Sequence, residues 1–324
     1  MKKRLGKISG LPSALFVLLC LPLVFAALAQ AQSRQQRPVE SSRVPGTLPV
    51  TLNLSVMDSA NRPVDGVTRE QIQVFENNVA QTVTSFSKQD GPLSFGLLID
   101  ASGSLRAHQD QILKLAQAVL ANIEAEDEAF IIKFVSSDKI TLLRDWTSNR
   151  SRLYSALNDV YVEGGHSAIV DALHTALQHL SERRASQSAQ RRYALILISD
   201  GDEGSSYYNL DKVTSLARAA GVQIFVASLA EVVEKELART RAFSFLDTIA
   251  NESGGRVWPA FKMEPELFAA QLSVERHAQY LVGYDSTNSS RDGSVRNIKV
   301  VVKQADGSAK LSAIVRASYT APRK

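Results

Sequence analysis

Asp100, Ser102 and Ser104 stand two residues apart in the stretch Ser94–Leu105, SFGLLIDASGSL, and offer three oxygen side chains to a single point. Magnesium and calcium take oxygen ligands and little else, so this spacing suits a hard divalent cation. A second stretch, Asp200-Gly201-Asp202-Glu203, puts another aspartate directly after an apolar run. A third, Gly164-Gly165-His166-Ser167-Ala168, breaks a helical pattern and sets the Ser167 hydroxyl at a helix start, beside exposed main-chain N–H groups. Asp100, Ser102, Ser104, Ser167 and Asp200 are the candidate ligands, on three loops that could converge on one ion.

The elements that must position these loops follow from hydrophobic patterning. Phe95–Ile99 and Tyr193–Ser199 are unbroken apolar runs of strand length, as expected of strands buried on both faces of a parallel sheet. Ala129–Val135, Val222–Ser228, Arg256–Trp258 and a shorter edge strand at Lys139–Asp145 join them. Helical spacing covers Gln109–Ala125, Leu153–Tyr161, Ala168–Leu180, Leu210–Ala220 and the surroundings of Phe245–Ile249. The alternation predicts an α/β fold: a doubly wound, mainly parallel sheet with helices on both faces. Such sheets bind ligands beyond the carboxyl ends of their strands, which is where Asp100 and Asp200 fall.

Both flanks read as β structure. Val50–Met57, Ile72–Phe75 and Val79–Phe86, with Glu76-Asn77-Asn78 as a turn, precede the α/β region; Gln279–Tyr284, Asn297–Lys303 and Leu311–Ala317 follow it. Neither set closes a core alone, so the two are expected to form one small β-sandwich with the α/β domain inserted between them. Leu52, Leu54, Val56, Ile72, Val74 and Phe86 should face Leu281, Ile298, Val300 and Ile314. The expected boundaries are 49–91 for the first β segment, 92–265 for the α/β domain, and 266–324 for a helix and the second β segment.

The chain begins with four basic residues (Lys2, Lys3, Arg4, Lys7), an apolar stretch Leu11–Leu28 and a small-x-small site at Ala29-Gln30-Ala31. This describes a secretory signal peptide over 1–31, followed by a polar linker at 32–48. If uncleaved, the stretch would anchor the chain in a membrane. The expected location is the cell envelope or the exterior of a bacterial cell. Of 324 residues with net charge +4, those after residue 31 hold 33 basic against 33 acidic. No stretch of that balanced part reads as a phosphate-binding surface, and no nucleic-acid partner is expected. Cys20, the only cysteine, lies in the leader, so a cleaved chain has no zinc–thiolate site, disulfide or catalytic thiol.

With these motifs in place, the region from about Pro92 to Phe261 resembles a von Willebrand factor type A domain with a metal-ion-dependent adhesion site. Asp100-Ala101-Ser102-Gly103-Ser104 matches the DxSxS loop of that family and Asp200-Gly201 its second aspartate. Ser167, within GHSAIVDAL, falls where the family usually has threonine; the hydroxyl is kept and the methyl that stiffens the rotamer is lost. The flanking segments, with QYLVGY and VRASY near the end, resemble bacterial secreted proteins of this type. The resemblance implies that the hydroxyls bind the ion directly and the aspartates largely through water. Neutral direct ligands leave the ion much of its charge and a water-filled position, which an Asp or Glu carboxylate of a protein partner can take. Magnesium fits best because it keeps waters in an octahedral shell, with manganese or calcium as substitutes.

The implied function is an exported, non-enzymatic adhesion module without a small-molecule substrate. A magnesium-dependent phosphatase or hydrolase is the alternative enzyme reading. The phosphatase needs a second Asp as general acid where Ser102 stands, and His166 is the one base near the site. A structural envelope protein with a vestigial site is the third reading. Asp202, Glu203, Ser205 and Ser206 read as a solvated rim, Asp171 as support for a helix start, and Trp146 and Trp258 as packing residues.

Overall fold

The computed structural model describes residues 47–187, 191–303 and 310–323. The expected signal peptide at 1–31, Cys20 and nearly all of the linker lie outside the described residues. Among the described residues, no helix is long and apolar enough to cross a membrane.

Strands β1 (Leu48–Met57), β2 (Ile72–Glu76), β3 (Val79–Gln81) and β4 (Val83–Lys88) come first. The α/β part then runs β5 (Leu93–Asp100), α1 (Gln109–Ala121), β6 (Glu128–Phe134), β7 (Ile140–Thr147), α2 (Arg150–Ala156), α3 (Ile169–Ser186), β8 (Arg192–Ser199), α4 (Leu210–Ala220), β9 (Gln223–Ser228), α5 (Glu236–Ser253), β10 (Val257–Pro259) and α6 (Pro265–His277). Strands β11 (Gln279–Ser286), β12 (Val295–Val302), β13 (Ser312–Ile314) and β14 (Ser318–Thr320) complete the described chain.

The central sheet has the order β10-β9-β8-β5-β6-β7. All its pairings are parallel except β6 with the edge strand β7. Every residue of β5 is buried because alternate side chains feed two cores. Phe95, Leu97 and Ile99 pack with α1, including Ile112 and Leu115, while Leu98 joins Phe130, Ile132 and the α3 residues Leu173 and Leu177 on the other face. Gly96 interrupts the run because Phe130 fills the space above it; a Cβ there would lie 2.2 Å from the Phe130 ring. The chain passes from β5 to β6 on one side and returns to β8 on the other. The sheet therefore reverses its winding between β5 and β8, and the crevice at their carboxyl ends is the ligand position for such folds.

The flanking segments interleave as two antiparallel sheets, β13-β1-β11-β4 and β14-β12-β2-β3. β1 pairs with β11 from Leu48↔Ser286 to Ser55↔Gln279, and β2 pairs with β12. Leu52, Leu54, Val56, Ile72, Val74 and Ile298 share one buried cluster. The facing set in β11 is Tyr280, Val282 and Tyr284 rather than Leu281, since a period-two pattern read one residue out of step turns the whole strand over.

Several boundaries differ from the sequence reading. Val79–Phe86 is two strands divided at Thr82, each serving a different sheet. Glu76 ends β2 and is buried, and the turn is Asn77-Asn78, both at positive φ. The second helix stops at Ala156 and leaves Tyr161 exposed. The first turns of α5 and the last of α3 face solvent and carry no apolar rhythm, which is why both helices read short. The sequence groups helix α6 with the C-terminal β segment, but its Phe268 and Leu272 lie in the same core cluster as Trp258 and α1.

Candidate metal centre

Asp100 is the last residue of β5. The register of β5 on β8 pairs Ile99 with Ile198, which makes Asp100 and Ser199 lateral neighbours at the strand ends. Asp100 Oδ2 accepts hydrogen bonds from Ser199 Oγ at 2.6 Å and from Ser167 Oγ at 2.9 Å. Asp100 Oδ1 accepts the Ser102 N–H at 2.9 Å. The Ser102 and Ser104 hydroxyl oxygens are 3.3 Å apart. Asp200 follows β8 directly, and its Oδ1 accepts the Asp202 N–H at 3.1 Å. The five expected residues thus come from three loops to one place. In the sequence Ser199 is only a strand end; its register beside Asp100 is a tertiary fact that the strand pattern alone does not carry.

Two glycines let the loops close. Gly103 N–H donates to Gly165 O at 3.0 Å, and a Cβ on Gly103 would lie 3.2 Å from Gly164 Cα. Gly201 has φ +81°, and a Cβ there would come within 2.6 Å of Ala242 O.

The acidic rim is less solvated than its composition suggests. Glu203 accepts from Val170 N at 3.0 Å and from Ser206 N and Oγ at 2.9 Å each. Ser167 and Glu203 form an isolated parallel bridge, and Gly204 N donates to Ser167 O at 3.0 Å. Asp171 accepts from Tyr207 N and Tyr208 N, both at 2.8 Å. Glu203, Ser206 and Asp171 are braces that fasten the Asp200 loop to the start of α3; only Asp202 is an exposed side chain of the expected kind. His166 is exposed on its loop. Trp258 is buried in the core and Trp146 packs at its edge.

The electrostatics of this cleft are unusual for a core. Asp100 and Asp200 are both fully buried. Burial, reinforced by the charge of Asp200, pushes the Asp100 carboxyl up to about 6 against the hydrogen bonds of Ser199 and Ser102. Burial likewise raises Asp200, with the charge of Asp202 adding, against hydrogen bonds from Ser104 and the Asp202 amide. Asp200 Oδ2 is buried with no hydrogen-bond partner. Among the described residues, no Lys, Arg or His is paired with either aspartate. A buried unpartnered acceptor costs about 1–3 kcal/mol, so the arrangement is one that an added cation relieves. Among the described residues, no group of three or more His, Cys, Asp or Glu gathers as a metal site. This donor set is two carboxylates and three serine hydroxyls, all oxygen, which fits a hard cation and not a thiolate- or imidazole-bound one.

Residues 96–249 match the model of the von Willebrand factor type A domain. No curated protein matches the chain. Among solved structures, the conserved hypothetical protein BatB from Bacteroides thetaiotaomicron is similar at 17% identity over 56% of this chain and 98% of its own, with a TM-score of 0.42. An aerotolerance-related membrane protein from Bacteroides fragilis NCTC 9343 is similar at 17% identity over 58% and 98%, TM-score 0.42. The vWF domain of the type V pili tip protein Mfa5 from Porphyromonas gingivalis is similar at 17% identity over 34% and 38%, TM-score 0.29.

Proposed function

Residues 96–249 form a von Willebrand factor type A domain, typically a protein-interaction module, and on that premise we propose that this chain is an exported, non-enzymatic adhesion module that grips a protein partner through magnesium. Ser102, Ser104 and Ser167 would hold the ion by their hydroxyls, and Asp100 and Asp200 would balance its charge. When bound, the ion supplies an electrophilic centre for an Asp or Glu carboxylate of the partner. The observation that carries this reading is the pair of buried aspartates without a basic neighbour, one oxygen of which has no hydrogen-bond partner.

The chain's own residues support a binding role over a catalytic one. Ser102 occupies the place where a phosphatase of this geometry needs its acid, and the exposed His166 is held by no orienting carboxylate among the described residues. Tyr207, 86% exposed in the loop after Asp200, is an aromatic of the kind that anchors protein interfaces. Export follows from the leader read at residues 1–31.

The test is a thermal melt of the protein with and without millimolar magnesium, beside Asp100→Ala and Ser102→Ala. Magnesium at a hundred times its Kd should stabilise the wild type by about 2.7 kcal/mol. Both variants should lose that gain, and an equal response in all three would sink the assignment. A pull-down from envelope extract should lose the partner in chelator and regain it with magnesium. Hydrolysis of a phosphate ester by the wild type but not by Asp100→Ala would instead favour the enzyme reading.

A further inference from the structure

A cavity of about 720 Å³ lies where the amino-terminal ends of β5, β8 and β9 meet the sandwich, at the opposite ends of β5 and β8 from Asp100 and Asp200. That volume is in the range of small-molecule sites. Six arginines line it, Arg184, Arg191, Arg192, Arg218, Arg276 and Arg316, against a single acidic residue, the exposed Asp90. We propose that this cavity binds a phosphate-bearing ligand.

Three of the arginines already have carboxylate partners. Arg276 pairs with Asp127 at 2.8 Å and Glu124 at 3.2 Å, Arg218 with Glu252, and Arg191 lies 3.6 Å from Glu128. The other three have none among the described residues and rest on main-chain carbonyls instead. Arg184 donates to Ala220 O, Arg192 to Gly91 O and Arg276 O, and Arg316 to Arg218 O and Thr51 O. A carbonyl satisfies geometry but does not neutralise a charge. Burial lowers Arg192, and the neighbouring Arg276 adds to it; burial lowers Arg316, with Arg218 adding. Asp127, Glu124 and Asp90 offset part of the charge at Arg192, but no carboxylate pairs with Arg184, Arg192 or Arg316 among the described residues.

A second observation points the same way. Arg218 Nε, Arg276 Nε, Arg316 Nε and Gln279 Nε2 are buried without a hydrogen-bond partner, and all four residues line this cavity. Gln279 and Arg276 are only 3% and 5% exposed. Among the described residues, every unpartnered buried side-chain atom from the lining is a donor. A lining this rich in guanidinium donors suits a ligand that is rich in acceptors and negatively charged. A phosphate group carries close to two charges at neutral pH and several acceptor oxygens, and guanidinium forks match it in bidentate fashion. One carboxylate would bring half the charge of a phosphate and fewer acceptor oxygens.

The test uses the full chain in magnesium-free buffer at constant ionic strength, titrated calorimetrically with inorganic pyrophosphate. The expected result is saturable binding at one site, weakened roughly tenfold or more by Arg316→Gln and by Arg184→Gln, since each removes a charge-assisted contact. Arg184 is exposed and carries no ion pair, so its variant keeps the test valid should loss of the Arg316 bridge to Thr51 unfold the protein. Asp100→Ala, at the far end of the sheet, should bind pyrophosphate as the wild type does. Phosphatidylglycerol vesicles form a second arm. Arg184-dependent binding to vesicles that pyrophosphate competes away assigns the phosphate to a lipid headgroup; pyrophosphate binding without vesicle binding assigns it to a soluble ligand. No saturable binding in either arm, equal affinity in wild type and both arginine variants, or binding of citrate without pyrophosphate would overturn the proposal.

Discussion

Two buried carboxylate sites in this molecule are built on opposite principles. In the sandwich, Glu76 is 2% exposed and accepts hydrogen bonds from Ser286 Oγ at 2.7 Å, Tyr284 Oη at 2.8 Å, Tyr319 Oη at 2.9 Å and the fully buried Arg296 at 3.1 Å. Burial works to raise its carboxyl, and those four partners outweigh burial and hold it below the usual range. At the sheet crevice, Asp100 and Asp200 are equally withdrawn from water but have only serines, main-chain amides and each other. Their carboxyls are raised. A carboxylate that brings its own cation is a structural joint. A pair that lacks one leaves its charge uncompensated by the fold, which is the feature on which the proposed cation site rests.

The largest expected effect tests the structural side of that contrast. Glu76→Gln leaves Arg296 charged and unpaired inside the sandwich, and should lower unfolding free energy by about 3–5 kcal/mol in urea titration. Asp100→Asn, at pH 8 without metal, removes a charge that the fold does not compensate and should not destabilise the protein. Equal losses in both variants would break the distinction.

The pH dependence should separate the two sites next. Asp100 has a folded-state value near 6, above the ordinary 3.8, so its contribution is fully present below the ordinary value and is lost as pH rises through about 6. At 1.36 kcal/mol per pKa unit the loss is on the order of 3 kcal/mol. Glu76 acts in reverse: its contribution is present above the ordinary 4.5 and is lost as pH falls through its lowered value. Metal-free melts from pH 3 to 8 should therefore peak near pH 4, between the ordinary values 3.8 and 4.5, and fall up to about pH 6. Excess magnesium should restore the alkaline side in the wild type and leave Asp100→Asn unchanged. No fall in stability between about pH 4.5 and 6 in the metal-free wild type would contradict the buried charge pair.

The smallest effect concerns Ser167. Ser167→Thr keeps the hydroxyl and stiffens χ1, which should tighten magnesium a few-fold at most, roughly the half kcal/mol that fixing one rotamer costs. Ser167 is 1% exposed, so calorimetric magnesium titration should be paired with a metal-free melt. Weaker magnesium binding at unchanged stability would show that the added methyl hinders the hydroxyl, and unchanged binding in Ser167→Ala would show that the hydroxyl is not a ligand.

Much of the crevice was legible from order along the chain. Strand β5 is a continuous apolar run because both its faces are covered, and Asp100 with two serines at its end marks where that run gives way to a polar loop. Local spacing within DASGSL, the glycine breaks at 164–165 and the aspartate after β8 are properties of short segments, so sequence alone singles out Asp100, Ser102, Ser104, Ser167 and Asp200. That the terminal strands belong together is also implied by composition, since neither set can bury its apolar face alone.

Other features depend on which distant segments become neighbours, and only the tertiary structure decided them. Ser199 faces Asp100 because β8 lies beside β5 in one particular register. The inward face of β11 was ambiguous because QYLVGY has apolar residues in both phases, and pairing with β1 selects Tyr280, Val282 and Tyr284. Glu76 meets Arg296 across 220 residues of chain. The arginine cavity is the extreme case. Three of its arginines, Arg184, Arg191 and Arg192, come from the one stretch 183–192, but Arg218, Arg276 and Arg316 come from α4, α6 and the C-terminal segment, and the chain after residue 31 as a whole is evenly balanced in charge. Charge along a chain is averaged over neighbours in sequence, whereas a binding site sums charge over neighbours in space, and that sum exists only once the two domains are packed together.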